Sequence, residues 1–161
     1  MKPLVAILMG SDSDAESLKG CGEVLRSFDI SFEARVLSAH RTPEDTVDYV
    51  KSAKKEGIRI FICAAGGAAH LAGVVAAYTP LPVIGIPVET SSLNGLDSLL
   101  STVQMPVGTP VATVAIGAAG SKNAAYLAVR MLALNDPKLE EVLERFKEEN
   151  RRKVLSKKVE L

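Results

Sequence analysis

Ser38, His40 and Arg41 fall within four residues of one another, in the segment "SAHRTP" (38–43), and bring a hydroxyl, an imidazole and a guanidinium to one short turn. An imidazole is the side chain whose ordinary titration range lets it both give and take a proton near neutrality. A guanidinium matches a phosphate through two parallel hydrogen bonds. Taken alone, a histidine in a turn is more often structural. Beside Arg41, His40 is better read as an acid–base group.

Two further segments carry similar potential. "GSDSD" (10–14) directly follows the apolar run "LVAILM". There Gly10 permits a tight turn, and Ser11 and Ser13 offer hydroxyls and amides to a phosphate just before a helix. The alternative is helix capping by Ser11, Asp12 or Ser13. Asp14 can accept hydrogen bonds from ribose hydroxyls. Two carboxylates beside a phosphate repel it, so only one of the pair is expected to face a ligand. In "AAGGAAHLAG" (64–73), Gly66 and Gly67 allow backbone to approach a ligand closely and leave N–H groups for an anion. His70 stands near a helix N-terminus, which disfavours its protonated form. It either lines a pocket as a neutral donor or serves packing.

Other chemistries lack their residues. GxSxG, GxGxxG and Walker patterns are absent. A phosphorylatable aspartate ending the third strand, as a response regulator needs, is replaced by Ala64, Ala65 and Gly66. Cys21 and Cys63 have no CxxC or Cys/His spacing and read as buried, reduced thiols. The two histidines lie 30 residues apart without ligand-spaced neighbours, so no metal is expected. Lys+Arg and Asp+Glu balance at 19 each and aromatics are 4%, which argues against nucleic-acid partners. With no basic-then-apolar leader and no bilayer-length apolar run, a cytoplasmic protein without membrane contact is expected.

These turns need strands and helices to hold them. "LVAIL" (4–8), "IRIFICAA" (58–65), "PVIGIP" (82–87) and "TPVATVAI" (109–116) read as strands, and "SFEARVL" (31–37) as an alternating edge strand. Helices are expected from Ala15 to about Phe28, over 42–57, 68–79, 95–105 and 121–135, and from Lys138 to Leu161, a stretch with 14 charged residues in 24. For the second helix, Thr42 is the expected N-cap, Pro43 its first residue, Asp45 the capping-box acid and Gly57 the stop. Repeated strand–helix alternation predicts an α/β fold. It is a three-layer αβα sandwich around a flavodoxin-like parallel five-stranded sheet of order 2-1-3-4-5, with a C-terminal helix. One domain, 1–161, is expected, with an α/β core over 1–135 and a charged helix over 136–161. The strand order reverses between strands one and three, and the three turns above lie at carboxyl ends around that point.

Taken together, "MGSDSD", "SAHRTP", "AGGAAHLAG", "LPVIGIPV", "GLDSLLSTVQMPVGTPVATVAIG" and "NAAYLA" closely resemble the class I PurE family, the 5-(carboxyamino)imidazole ribonucleotide mutases of purine biosynthesis. The resemblance runs from about residue 4 to residue 135. Class II relatives, which carboxylate aminoimidazole ribonucleotide with free CO2, usually read "SAHK" and "GRSN" where this chain has "SAHR" and "GGAAH". Family members often carry Gly at the position of Ala65 and Pro at that of Ala72. The resemblance implies that His40 is catalytic, that Ser11 and Arg41 bind the ribonucleotide phosphate, and that Asp14 meets the ribose. Gly10, Ser13, Ser38, Gly66, Gly67, Ala68, His70 and Leu71 complete the expected substrate site. It also implies a small-molecule ribonucleotide substrate, no metal or organic cofactor, and a homo-octamer with neighbouring subunits completing each site. Independently, the Ala-rich helices, apolar nearly all round, predict a homo-oligomer. Two alternatives stay open: direct carboxylation with free CO2, and a non-catalytic nucleotide- or flavin-binding module.

Overall fold

The computed structural model describes residues 2–159. Its central sheet contains β1 (Val5–Met9), β2 (Phe32–Val36), β3 (Ile60–Ala65), β4 (Val83–Pro87) and β5 (Ala112–Thr113). All pairings are parallel and the order is β2-β1-β3-β4-β5, as the alternation predicts. The helices are α1 (Ala15–Ser27), α2 (Pro43–Glu56), α3 (Leu71–Tyr78), α4 (Leu96–Val103), α5 (Gly117–Ala133) and α6 (Pro137–Leu155).

The period-2 geometry of strands sorts the core into two layers. Val5, Ile7, Met9, Ile60, Ile62, Ala64, Ile84 and Ile86 face α1, α5 and α6. Ala6, Leu8, Phe61, Cys63 and Val83 face α2 and α3. Both faces of β1, β3 and β4 are therefore buried, which is why these strands read as continuous apolar runs. Leu8 is fully buried, and its truncation to Ala removes about 2–5 kcal/mol. Such a rigid sheet fixes the places where its carboxyl-end turns begin.

The edges depart most from expectation. β2 lies at one edge, as predicted, and Val36 there is exposed. At the other edge β5 shrinks to two residues rather than spanning 109–116, although Val114 adds one further bond to Gly85 O. Pro110 lacks an N–H, and an edge strand has a neighbour on one side only. α5 begins four residues earlier than predicted. Gly120 explains this, since a Cβ there would lie 1.6 Å from Ala115 O, so the glycine serves close packing rather than helix breaking. α3 starts at Leu71, which leaves Ala68 to His70 in the preceding turn.

α6 starts with Asp136, whose carboxylate accepts hydrogen bonds from the Lys138 and Leu139 N–H groups. Phe146 on α6 stacks on Tyr126 and meets Phe28 edge-on, which seats the helix against α5 and α1. The helix ends at Leu155 rather than running on, and the expected terminus at 160–161 lies outside the described residues. The apolar wrap of α5 is consumed within this chain by α1, the sheet and α6. Leu134, just past the C-terminal end of α5, stays 82% exposed, and further apolar exposure gathers at Leu93, Leu96, Leu100, Val103 and Val107, on and around α4. No helix among the described residues is long and apolar enough to cross a membrane.

Candidate active site

Parallel register sets Met9 beside both Val36 and Ala64, so the turns after β1, β2 and β3 leave the sheet side by side. Backbone bonds from Leu37 N–H to Met9 O (2.9 Å) and from Gly10 N–H to Ala64 O (3.3 Å) hold these exits together. Side chains then tie the turns to one another. Arg41 Nη2 donates to Gly10 O at 2.5 Å, joining the second turn to the first. His40 Nε2 and His70 Nδ1 approach to 2.7 Å with the rings nearly perpendicular (87°), joining the second turn to the third. A single hydrogen bond links two ring nitrogens only if one carries a proton and the other is bare.

The three turns enclose a cavity of about 310 Å³. Gly10, Ser11 and Asp14 line it from the first turn, Ser38, His40 and Arg41 from the second, and Gly66, Ala68, His70 and Leu71 from the third. Ser13 and Gly67, both expected in the site, do not reach it, whereas Ala39 and Ala65 do. A larger groove, about 1150 Å³, runs between α5 and α6. It holds none of the expected site residues, and its sides are the apolar flanks and solvated charges of two helices. Converging polar groups, more than volume, mark a site for chemistry, so the smaller cavity is the candidate.

The second turn is built by its own side chains. Thr42 precedes α2 as predicted, but its hydroxyl makes no helix cap, and the expected capping box with Asp45 is not formed. Instead Thr42 Oγ1 accepts from Ser38 N–H (2.9 Å) and donates to Ser38 O (3.2 Å), which closes the turn on itself. Ser38 Oγ in turn accepts from the backbone N–H and Nε of Arg41 at 3.2 and 3.4 Å. Arg41 is thus aimed by Ser38 and Gly10, with guanidinium hydrogens left over for an anion.

In the first turn the capping reading is realised. Ser11 Oγ accepts from Ser13 N–H and Ser13 Oγ and caps the short 3-10 turn Asp12–Asp14. The Ser13 hydroxyl is engaged there, which explains why Ser13 misses the cavity. Of the two acids, Asp14 lines the cavity and Asp12 stays exposed, as electrostatic repulsion predicts.

Partial burial pushes the Asp14 carboxyl above its usual range. It outweighs the hydrogen bonds from Ser11 and Ser13 and the attraction of Arg41. A raised folded value means stability present below 3.8, the ordinary value, and lost as pH rises through the folded one. Asp14→Asn does not titrate. It should therefore melt higher than the parent at pH 7, with the gap closing on acidification. Thermal melts between pH 3 and 7 check this, and a gap that widens toward low pH would contradict it.

Gly67 has φ 65°, and its N–H was expected to be free for an anion. It is not: it donates to Ser98 Oγ at 2.9 Å. Among the described residues, the N–H groups of its neighbours Gly66 and Ala68 have no hydrogen-bond partner, and both residues line the cavity. Ser98 and Ser101 are participants the sequence reading missed, and the available signal was two serines three apart in "LDSLLSTV". Neither cysteine reaches the cavity. Both are free and buried, and burial pushes the Cys21 thiol up to about 12 and raises that of Cys63 as well.

A family model described as AIR carboxylase matches residues 4–153. The N5-carboxyaminoimidazole ribonucleotide mutase of Saccharolobus solfataricus is 54% identical over 158 residues, covering 98% of this chain and 99% of that protein. The enzyme of the same name from Bacillus subtilis is 49% identical, covering 96% of each. A crystal structure of Treponema denticola PurE superposes with a TM-score of 0.85 at 32% identity, over 95% of this chain and 94% of that one. The chain belongs to the AIR carboxylase family.

Proposed function

We propose that the chain converts 5-(carboxyamino)imidazole ribonucleotide into 4-carboxy-5-aminoimidazole ribonucleotide in the cavity between the three turns. The observation that carries this is the His40–His70 contact beside Arg41, in a chain about half identical to curated mutases of that name. The reaction moves a carboxylate from the exocyclic nitrogen to a ring carbon. As the N–C bond breaks, the nitrogen takes one proton and CO2 is released into the cavity. The ring carbon then attacks CO2 and sheds its own proton, so protons balance over the cycle.

His40 supplies the first proton and takes up the second. His70 keeps the His40 ring oriented and its Nε2 satisfied between the two transfers. Gly66 and Ala68 give the cavity small walls, so the released CO2 stays at high effective concentration near the ring. Arg41 and Ser11 hold the phosphate and Asp14 the ribose. The flavin-module alternative loses ground because no Phe or Tyr lines the cavity to stack on an isoalloxazine. Supplying the purified chain with the carbamate ribonucleotide, without bicarbonate or ATP, tests the reading. Carbon-carboxylated product is expected, and a strict need for bicarbonate would turn the assignment to the free-CO2 carboxylase.

The same reading includes a homo-octamer, supported by the exposed Leu93, Leu96, Leu100, Val103 and Val107. Leu96→Asp with Leu100→Asp should reduce the assembly to smaller species while each subunit stays folded, because both side chains are exposed. Sedimentation velocity checks this, and an unchanged large assembly would remove α4 from the interface. A cytoplasmic location completes the proposal, and two buried, unpaired thiols suit a reducing compartment.

A further inference from the structure

We propose that Ser98, assisted by Ser101, is a positioning residue that sets the third turn, and through it His70, for proton transfer at His40. The role rests on the mutase reading of the cavity. Gly66 and Gly67 are adjacent and swivel at little cost, so the backbone of this turn cannot fix itself. α4 fixes it from behind. Ser98 is 0% exposed, and its Oγ accepts from Gly67 N–H (2.9 Å) while donating to Val88 O (2.7 Å) at the end of β4. The single hydroxyl hydrogen of Ser101 is shared between Gly67 O (3.2 Å) and Asp97 O within its own helix (2.6 Å).

Both polar groups of Gly67 are thereby engaged by one helix, on the side away from the cavity. Two tight bonds follow, Ala69 N–H to Gly67 O and His70 N–H to Ala68 O, both 2.8 Å. They carry the set of Gly67 forward to His70, which meets His40 at 2.7 Å. Removing the Ser98 hydroxyl leaves Gly67 N–H and Val88 O without this partner and lets the turn shift. Arg41, Ser38 and Gly10, which belong to the other two turns, keep their bonds. Substrate affinity and turnover should therefore separate.

The test is Ser98→Ala in the full chain, with kcat and KM for the carbamate ribonucleotide, thermal melts, and ring-nitrogen NMR shifts of the two histidines. A kcat lower by about 10- to 100-fold is expected, with KM little changed. The ring-nitrogen shifts should also move, reporting a lost or lengthened Nε2–Nδ1 contact. Wild-type kcat in the folded variant overturns the inference. So does a loss that merely follows the unfolded fraction. If Ser98→Ala does not fold, Ser101→Ala decides, because its side chain is only partly buried. A smaller fall in kcat at unchanged KM supports the clamp, and none refutes it. If the parent chain itself fails to interconvert the ribonucleotides, the mutase reading falls, while the NMR shifts still judge whether α4 sets His70.

Discussion

His40→Asn is expected to lower turnover by about 10³- to 10⁴-fold, the upper part of what a positioned acid–base group contributes, because one ring serves both proton transfers. Asparagine keeps a polar side chain of similar reach but cannot exchange a proton at neutral pH. His40 is exposed and its one side-chain hydrogen bond is to His70, so folding stability should change by no more than about 0.5 kcal/mol. Ribonucleotide affinity should also persist, since Arg41, Ser11 and Asp14 are untouched. Steady-state assays beside calorimetric titration separate the two effects. Wild-type turnover in this variant would remove His40 from the chemistry.

Arg41→Ala should do the opposite, weakening ribonucleotide binding by about 10- to 100-fold, the loss expected for a charge-assisted hydrogen-bonding group. Some of that loss is indirect. Arg41 Nη2 bonds Gly10 O, so the truncated variant also loses a tie between the first two turns. Arg41→Lys should recover part of the affinity, since an ammonium supplies the charge but not the planar fork. Turnover at saturation should suffer less than affinity, because phosphate contacts act alike on ground and transition states. Calorimetry showing unchanged affinity in Arg41→Ala would refute the phosphate role.

The sheet order and the convergence of three turns were legible because apolar strands and punctuating Gly and Pro are local signals. Parallel topology then puts the ends of β1, β2 and β3 at one edge with no further information. Contacts between turns were not legible in the same way. That His40 would touch His70, and Arg41 the Gly10 carbonyl, depends on side-chain directions set by the sheet. Thr42 shows a related limit. A threonine before Pro43 carries the signal of a helix cap, yet its hydroxyl found a nearer partner in Ser38. Gly67 misled for a similar reason: its sequence context says accessible amide, while Ser98, thirty-one residues on, takes that amide. At the sheet edge, "TPVATVAI" has strand composition but only one neighbour to pair with, so composition overstated β5.

The carbamate ribonucleotide carrying ¹³C in its carboxylate, turned over in unlabelled bicarbonate, probes the captive-CO2 mechanism most directly. Label retained in the carbon-carboxylated product is the expected result, since the released CO2 never leaves the mouth that His40 and Arg41 share. Product that carries only unlabelled carbon, and forms in proportion to bicarbonate, would contradict it.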